Sequence, residues 1–127
     1  MLENWPARID DATGAFNVAF LYAFDGNLSA ATRFYRVGFR RSTNSQVQFE
    51  IEEFLEWIIA KHPEKYQLHY CAGMFQLFTV NNKELAHRHF RKFLEGVPEG
   101  EYPVQVREVT KYLDPSFKVP MPRINPN

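Results

Sequence analysis

Several features are scarce in this chain, and each absence narrows what the protein can be. Its 127 residues include one cysteine, Cys71, so no disulfide can form within the chain. Fifteen lysines and arginines are balanced by fifteen aspartates and glutamates, so we expect no overall attraction to nucleic acid. No run of eighteen apolar residues occurs, which predicts no membrane span. The first residues lack the apolar core of a secretory signal, and we expect a soluble cytoplasmic protein.

Proline is absent from two long stretches, residues 7–62 and 64–97, and six of the eight prolines lie from Pro98 onward. Proline inside a helix costs about 3 kcal/mol, so these two stretches are where helices can run. Apolar residues make up 45% of the chain and aromatic residues 16%. That content is sufficient for one domain of this length to bury its own core.

Within the proline-free stretches and just after them, apolar residues recur at helical spacing. The pattern predicts an all-α fold whose six helices cover residues 14–24, 28–41, 46–61, 64–79, 82–96 and 103–113. Gly26 and Asn27 predict a turn, and Asn81 with Glu84 predicts the start of the fifth helix. An N-terminal arm (1–13) precedes the helical domain (14–113), and a tail (114–127) with four prolines is predicted to be extended. At residues 77–80 and 104–106, where β-branched and aromatic residues cluster, a strand is the main alternative to a helix.

Two segments end alike, thirty-five residues apart, at Pro63 and at Pro98. The second copy carries Tyr70, Gly73, Ala86 and Phe90, and here the chain resembles the tetratricopeptide repeat family. That resemblance implies six antiparallel helices stacked as a short right-handed superhelix. It also implies a concave face that receives a peptide or helix from a partner protein, in a family that is not generally enzymatic.

Two repeat registers are compatible with the resemblance. In one, the Gly26–Asn27 turn joins the first two helices, and the third helix stands unpaired between repeats. In the other, the second and third helices form the pair that ends at Pro63, which places bulky Ile51 where a small residue is usual. Both registers predict antiparallel neighbours.

The first helix of each pair lines the concave face in such a fold. In the Gly26 register this predicts an apolar, aromatic partner-binding groove. A rim of basic side chains along the second helix would accompany it, from three arginines spaced three and four apart. The alternatives are that the aromatic rings are ordinary core packed on the third helix, and that the arginines pair with its glutamates. The predicted site residues are Phe16, Phe20, Phe24 and Phe75 for the groove and Arg33, Arg36 and Arg40 for the rim.

No motif indicates catalysis, a metal or a cofactor. His87 and His89 are two residues apart and diverge on a helix, whereas metal ligation needs a spacing of three or four. Cys71 lies in an apolar helix, where a thiol behaves as a small hydrophobe. The sequence therefore predicts a non-catalytic interaction module. The alternative is a small α+β enzyme or ligand-binding domain with an aromatic pocket, which requires strands at 68–80 and 102–110. Homo-oligomerisation through the apolar face is a third hypothesis.

Overall fold

The computed structural model describes residues 12–40 and 45–118, without the side chains of residues 12–14 and 36–40. The described chain is helical and contains no strand, which confirms the predicted all-α class. Strands at 68–80 and 102–110, which the α+β alternative requires, are absent because these segments are almost wholly helical. The helices are α1 (Ala12–Phe24), α2 (Leu28–Arg40), α3 (Ser45–Lys61), α4 (Gln67–Phe75), a π-helical segment (Gln76–Val80), α5 (Lys83–Gly96) and α6 (Pro103–Leu113).

The largest departures from the predicted boundaries lie around α4. Its predicted start at residue 64 is wrong, because a turn occupies these positions and the Lys65 N–H donates to the His62 carbonyl at 3.0 Å. At its other end α4 widens into the π-helical segment, which stops at Asn81 with φ 66°. Asn82, rather than the predicted Asn81, caps α5, and its side chain accepts a hydrogen bond from the Leu85 N–H at 3.1 Å.

The core of the molecule is built around α4. Every residue from Gln67 to Leu77 is buried except His69, and α4 packs against α1, α2, α3 and α5. A helix that is apolar around most of its circumference must be enclosed in this way. Aromatic rings fill much of the enclosed space. Phe16 of α1 meets Phe75 edge-on, with ring centroids 5.3 Å apart, and lies 5.7 Å from Tyr35 of α2.

The helices form two hairpins, α1–α2 and α4–α5. Gly26 turns the first hairpin with φ 89°, a conformation that glycine adopts readily. The Asn27 side chain then accepts a hydrogen bond from the Ala30 N–H at 3.1 Å and caps α2. This is the pairing expected in the Gly26 register. A right-handed superhelix of tetratricopeptide type stays a prediction.

The third helix, α3, belongs to neither hairpin. It packs against α1 and α4, which are the first helices of the two pairs. Only Ile51 and Leu55 of α3 are buried. At the other end of the domain α6 packs on α5. The chain beyond α6 stays in contact with it as far as Phe117, whose ring lies 5.0 Å from that of Tyr112. The rest of the predicted tail, the arm before residue 12 and residues 41–44 lie outside the described residues.

Gly73 allows α4 and α5 to approach closely. A Cβ atom at this position would overlap the ring of Phe90, which is fully buried on α5. Ala86, one turn before Phe90, is also fully buried. The small residues Gly73 and Ala86, which carry part of the resemblance to tetratricopeptide repeats, therefore lie inside the contact between the two helices.

We expect Gly73→Ala to destabilise the fold by about 1–3 kcal/mol, because the added methyl group overpacks the contact with Phe90. Helix propensity alone predicts the opposite sign, a gain of about 0.5–1 kcal/mol. Urea denaturation distinguishes the two. The double variant with Gly73→Ala and Phe90→Leu should lose less unfolding free energy than the sum of the losses in the two single variants. An unchanged or increased stability for Gly73→Ala would show that the helices are not this close.

Candidate functional site

An apolar groove lies between α1 and α3. It encloses a volume of about 290 Å³, and we call it the α1–α3 groove. All but one of its lining side chains are apolar or aromatic, and the exception is an imidazole. They are Phe20, Leu21, Phe24, Phe54, Trp57, Ile58, His62 and Leu68.

Helical spacing builds the two walls of the groove. On α3, Phe54, Trp57 and Ile58 are three and four residues apart, so they project from one face. On α1, Phe20, Leu21 and Phe24 follow the same spacing. The walls touch where Phe20 and Phe54 meet edge-on, with ring centroids 5.4 Å apart. The Trp57 ring stands at the open side, 6.2 Å from that of Phe54, and remains 55% exposed.

The structure divides the predicted groove residues into two groups. Phe20 and Phe24 line the α1–α3 groove. Phe16 and Phe75 contact each other in the core, and both are fully buried. A partner cannot reach Phe16 or Phe75 in this conformation, so their surroundings match the alternative in which such rings are ordinary core.

The predicted arginine rim lies on α2, and no described side chain of α2 lines this groove. Arg33 is exposed on α2, and the side chains of Arg36 and Arg40 are outside the described part of the chain.

The glutamates of α3, the suggested partners of those arginines, point in part towards other helices. Glu52 accepts a hydrogen bond from the buried Gln76 side chain. Glu56 lies with Oε1 3.4 Å from Nε2 of His89 on α5. The Glu52 carboxylate therefore links α3 to the π-helical segment, and the Glu56 carboxylate lies close to α5.

The charged groups at the edge of the groove are lysines that the sequence did not indicate. Lys65 donates from Nζ to the Phe24 carbonyl at 3.1 Å and lies 4.2 Å above the Phe24 ring. Lys61 holds its Nζ 5.9 Å from the centre of the Trp57 ring. The His62 ring meets Phe24 edge-on at 4.8 Å. Their only signal in the sequence is their position on either side of Pro63, where one helix ends before the next begins.

Two histidines form an unexpected contact between α4 and α5. The Nδ1 atoms of His69 and His89 are 3.0 Å apart, and the ring centroids 5.3 Å, so the nitrogens face each other in a hydrogen bond. Burial lowers the pKa of both rings to about 4. No three described His, Cys, Asp or Glu side chains are arranged to hold a metal ion. Sequence spacing could not reveal a pair that joins two helices.

Two further polar groups, the Tyr70 hydroxyl and the Cys71 thiol, belong to fully buried residues. The Tyr70 hydroxyl donates to Oε1 of Glu108 at 2.9 Å and so ties α4 to α6. Burial raises the pKa of Tyr70. Burial also raises the pKa of the Cys71 thiol to about 12, which keeps the thiol protonated and unreactive at neutral pH. Neither group lines the α1–α3 groove.

The histidine pair should make the fold sensitive to acid. Because the pKa values of His69 and His89 are about 4 in the folded protein and about 6.5 in the unfolded chain, unfolding takes up protons. Their contribution to stability is complete above pH 6.5 and is lost progressively as the pH falls towards 4. For His89 alone we expect a loss of about 2 kcal/mol by about pH 5.

Urea unfolding at a series of pH values above about 5 measures this dependence. His89→Gln should flatten the slope of unfolding free energy against pH, whatever it does to the absolute stability. His62→Gln, a change outside the pair, is the control and should retain the slope. An equal slope in the wild type and His89→Gln would contradict the assignment.

None of the described helices has both the length and the apolar character needed to cross a bilayer.

Comparison with known proteins gives no relative on which to base a function. No protein-family model, no curated protein and no solved structure matches this chain.

Proposed function

We propose that this chain is a non-catalytic protein–protein interaction module that binds an apolar helix or peptide of a partner in the α1–α3 groove. The observation that carries the proposal is Trp57, a large aromatic side chain that is 55% exposed at the mouth of an otherwise apolar groove. Tryptophan is among the residues that most often dominate binding energy at protein interfaces.

The size of the groove suits side chains that project from another protein. Its volume of about 290 Å³ is at the small end of the range for small-molecule pockets, about 300–1,000 Å³. An amphipathic helix fills such a site with one or two anchors spaced three or four residues apart. Phe24 and Trp57, one on each wall, would then contact the anchors from both sides.

The resemblance to tetratricopeptide repeats supports the same surface. In that family the first helix of each pair forms the binding face, and here α1 contributes Phe20, Leu21 and Phe24 to the groove. Because α3 packs on α1 and α4, it would cover part of that face and leave the part beside Trp57 accessible. The partner would thus contact α1 and α3 together.

We further propose a cytoplasmic location for this module. Its single cysteine is buried. The fold therefore does not depend on disulfides, which form in oxidising compartments. Assembly with other chains in that compartment would depend on apolar contact, with charged side chains setting orientation.

Trp57→Ala should reduce partner binding about tenfold or more, because it removes the exposed anchor of the groove. It should change the unfolding free energy by less than about 1 kcal/mol, since the ring is half exposed. Phe49→Ala is the matched control, because Phe49 is also on α3 and is 54% exposed but does not line the groove.

Affinity purification with quantitative mass spectrometry is the measurement. Proteins retained by the wild type and by Phe49→Ala but lost with Trp57→Ala support the proposal. Equal recovery with all three chains would overturn it. Recovery of this chain alone would indicate that a second copy occupies the groove.

A further inference from the structure

We infer that the partner segment carries a carboxylate next to its apolar anchors, and that Lys61 and Lys65 receive it at one end of the α1–α3 groove. This inference rests on the proposed function, because it concerns the ligand of the same groove. It assigns to the two lysines the role that the sequence suggested for the arginines of α2.

Both ammonium groups are held beside aromatic rings that line the groove. Lys65 lies 4.2 Å from the centre of the Phe24 ring, and Lys61 lies 5.9 Å from that of Trp57. The two rings belong to opposite walls, on α1 and α3. A ligand that inserts an apolar side chain between Phe24 and Trp57 therefore brings its next residues close to two cations.

Neither ammonium group is in an ion pair with a described carboxylate, although the neighbouring Glu64 carboxylate interacts electrostatically with Lys65. No carboxylate among the described residues lies within 4.0 Å of Lys61 or Lys65. The nearby Glu64 has its Oε2 3.4 Å from Nδ1 of His62. Lys65 directs one hydrogen bond to the Phe24 carbonyl, and an ammonium group has three donors. Donors thus remain for an incoming anion at this end of the groove.

Charge at one end would also give the ligand a direction. An apolar groove alone accepts a helix in either orientation, whereas a carboxylate at one end of the segment fixes which way it lies. We therefore expect the partner segment to be apolar on one face, with Asp or Glu within about one turn of its anchors.

Two fluorescent probes test the groove and its charge separately. Phenylnaphthylamine (NPN) is an uncharged pair of aromatic groups, and anilinonaphthalene sulfonate (ANS) is a close analogue that carries an anion. If the inference holds, the folded protein binds one molecule of either probe. ANS should bind about three- to tenfold more tightly than NPN, as expected for one anion beside two partly exposed cations.

The variants assign the site. Lys61→Gln with Lys65→Gln should remove the preference for ANS over NPN, measured as the ratio of the two affinities in each variant, whereas Lys61→Arg with Lys65→Arg should keep that ratio. Lys83→Gln, at an exposed lysine that starts α5, controls for charge elsewhere. Trp57→Ala should weaken both probes, and circular dichroism confirms that each variant is folded.

The outcomes separate the two proposals. If NPN does not bind, or binds Trp57→Ala equally well, the groove itself fails as a binding site and the proposed function falls. If NPN binds at the groove but ANS shows no preference, or a preference that the double glutamine variant retains, only the anion inference is overturned.

Discussion

The contact between α4 and α5 at Gly73 is the constraint on which the rest of the fold depends. Because Gly73 has no side chain, the Phe90 ring lies against the α4 backbone and is fully buried. This close approach places α4 at the centre of the domain, where it contacts α1, α2, α3 and α5. Phe16 of α1 then packs against Phe75 of α4.

The α1–α3 groove exists because α3 cannot pack fully against the rest of the domain. The helix carries Glu50, Glu52, Glu53 and Glu56, and only its Ile51 and Leu55 are buried. The Glu52 carboxylate instead accepts a hydrogen bond from Gln76, and the Glu56 carboxylate lies close to His89. Beyond this attachment, Phe54, Trp57 and Ile58 face α1 across a space that no other described side chain fills. The arrangement of polar and apolar residues along α3 thus accounts both for its attachment to the domain and for the groove beside α1.

Much of the fold could be predicted from sequence because its signals are local. Prolines, the Gly26–Asn27 turn and helical spacing located all six helices, with the main error at the start of α4, where the turn at His62–Lys65 competes with the helix. The site was less predictable, because helical spacing shows which face of a helix is apolar but not which helix covers it. Phe16 and Phe24 share a stripe on α1, yet one is core and the other lines the groove. The contact between His69 and His89 depends on the same tertiary information.

A site-specific photo-crosslinker tests the central claim, that the open side of the α1–α3 groove contacts a partner. The photoreactive amino acid benzoylphenylalanine would replace Trp57 in one variant and Phe49 in another, because both positions are exposed to a similar degree on α3. The account predicts a discrete cross-linked protein from position 57 that is absent from position 49 and is lost when Phe24→Ala is added. Cross-links of equal yield from both positions, or from position 49 alone, would contradict it.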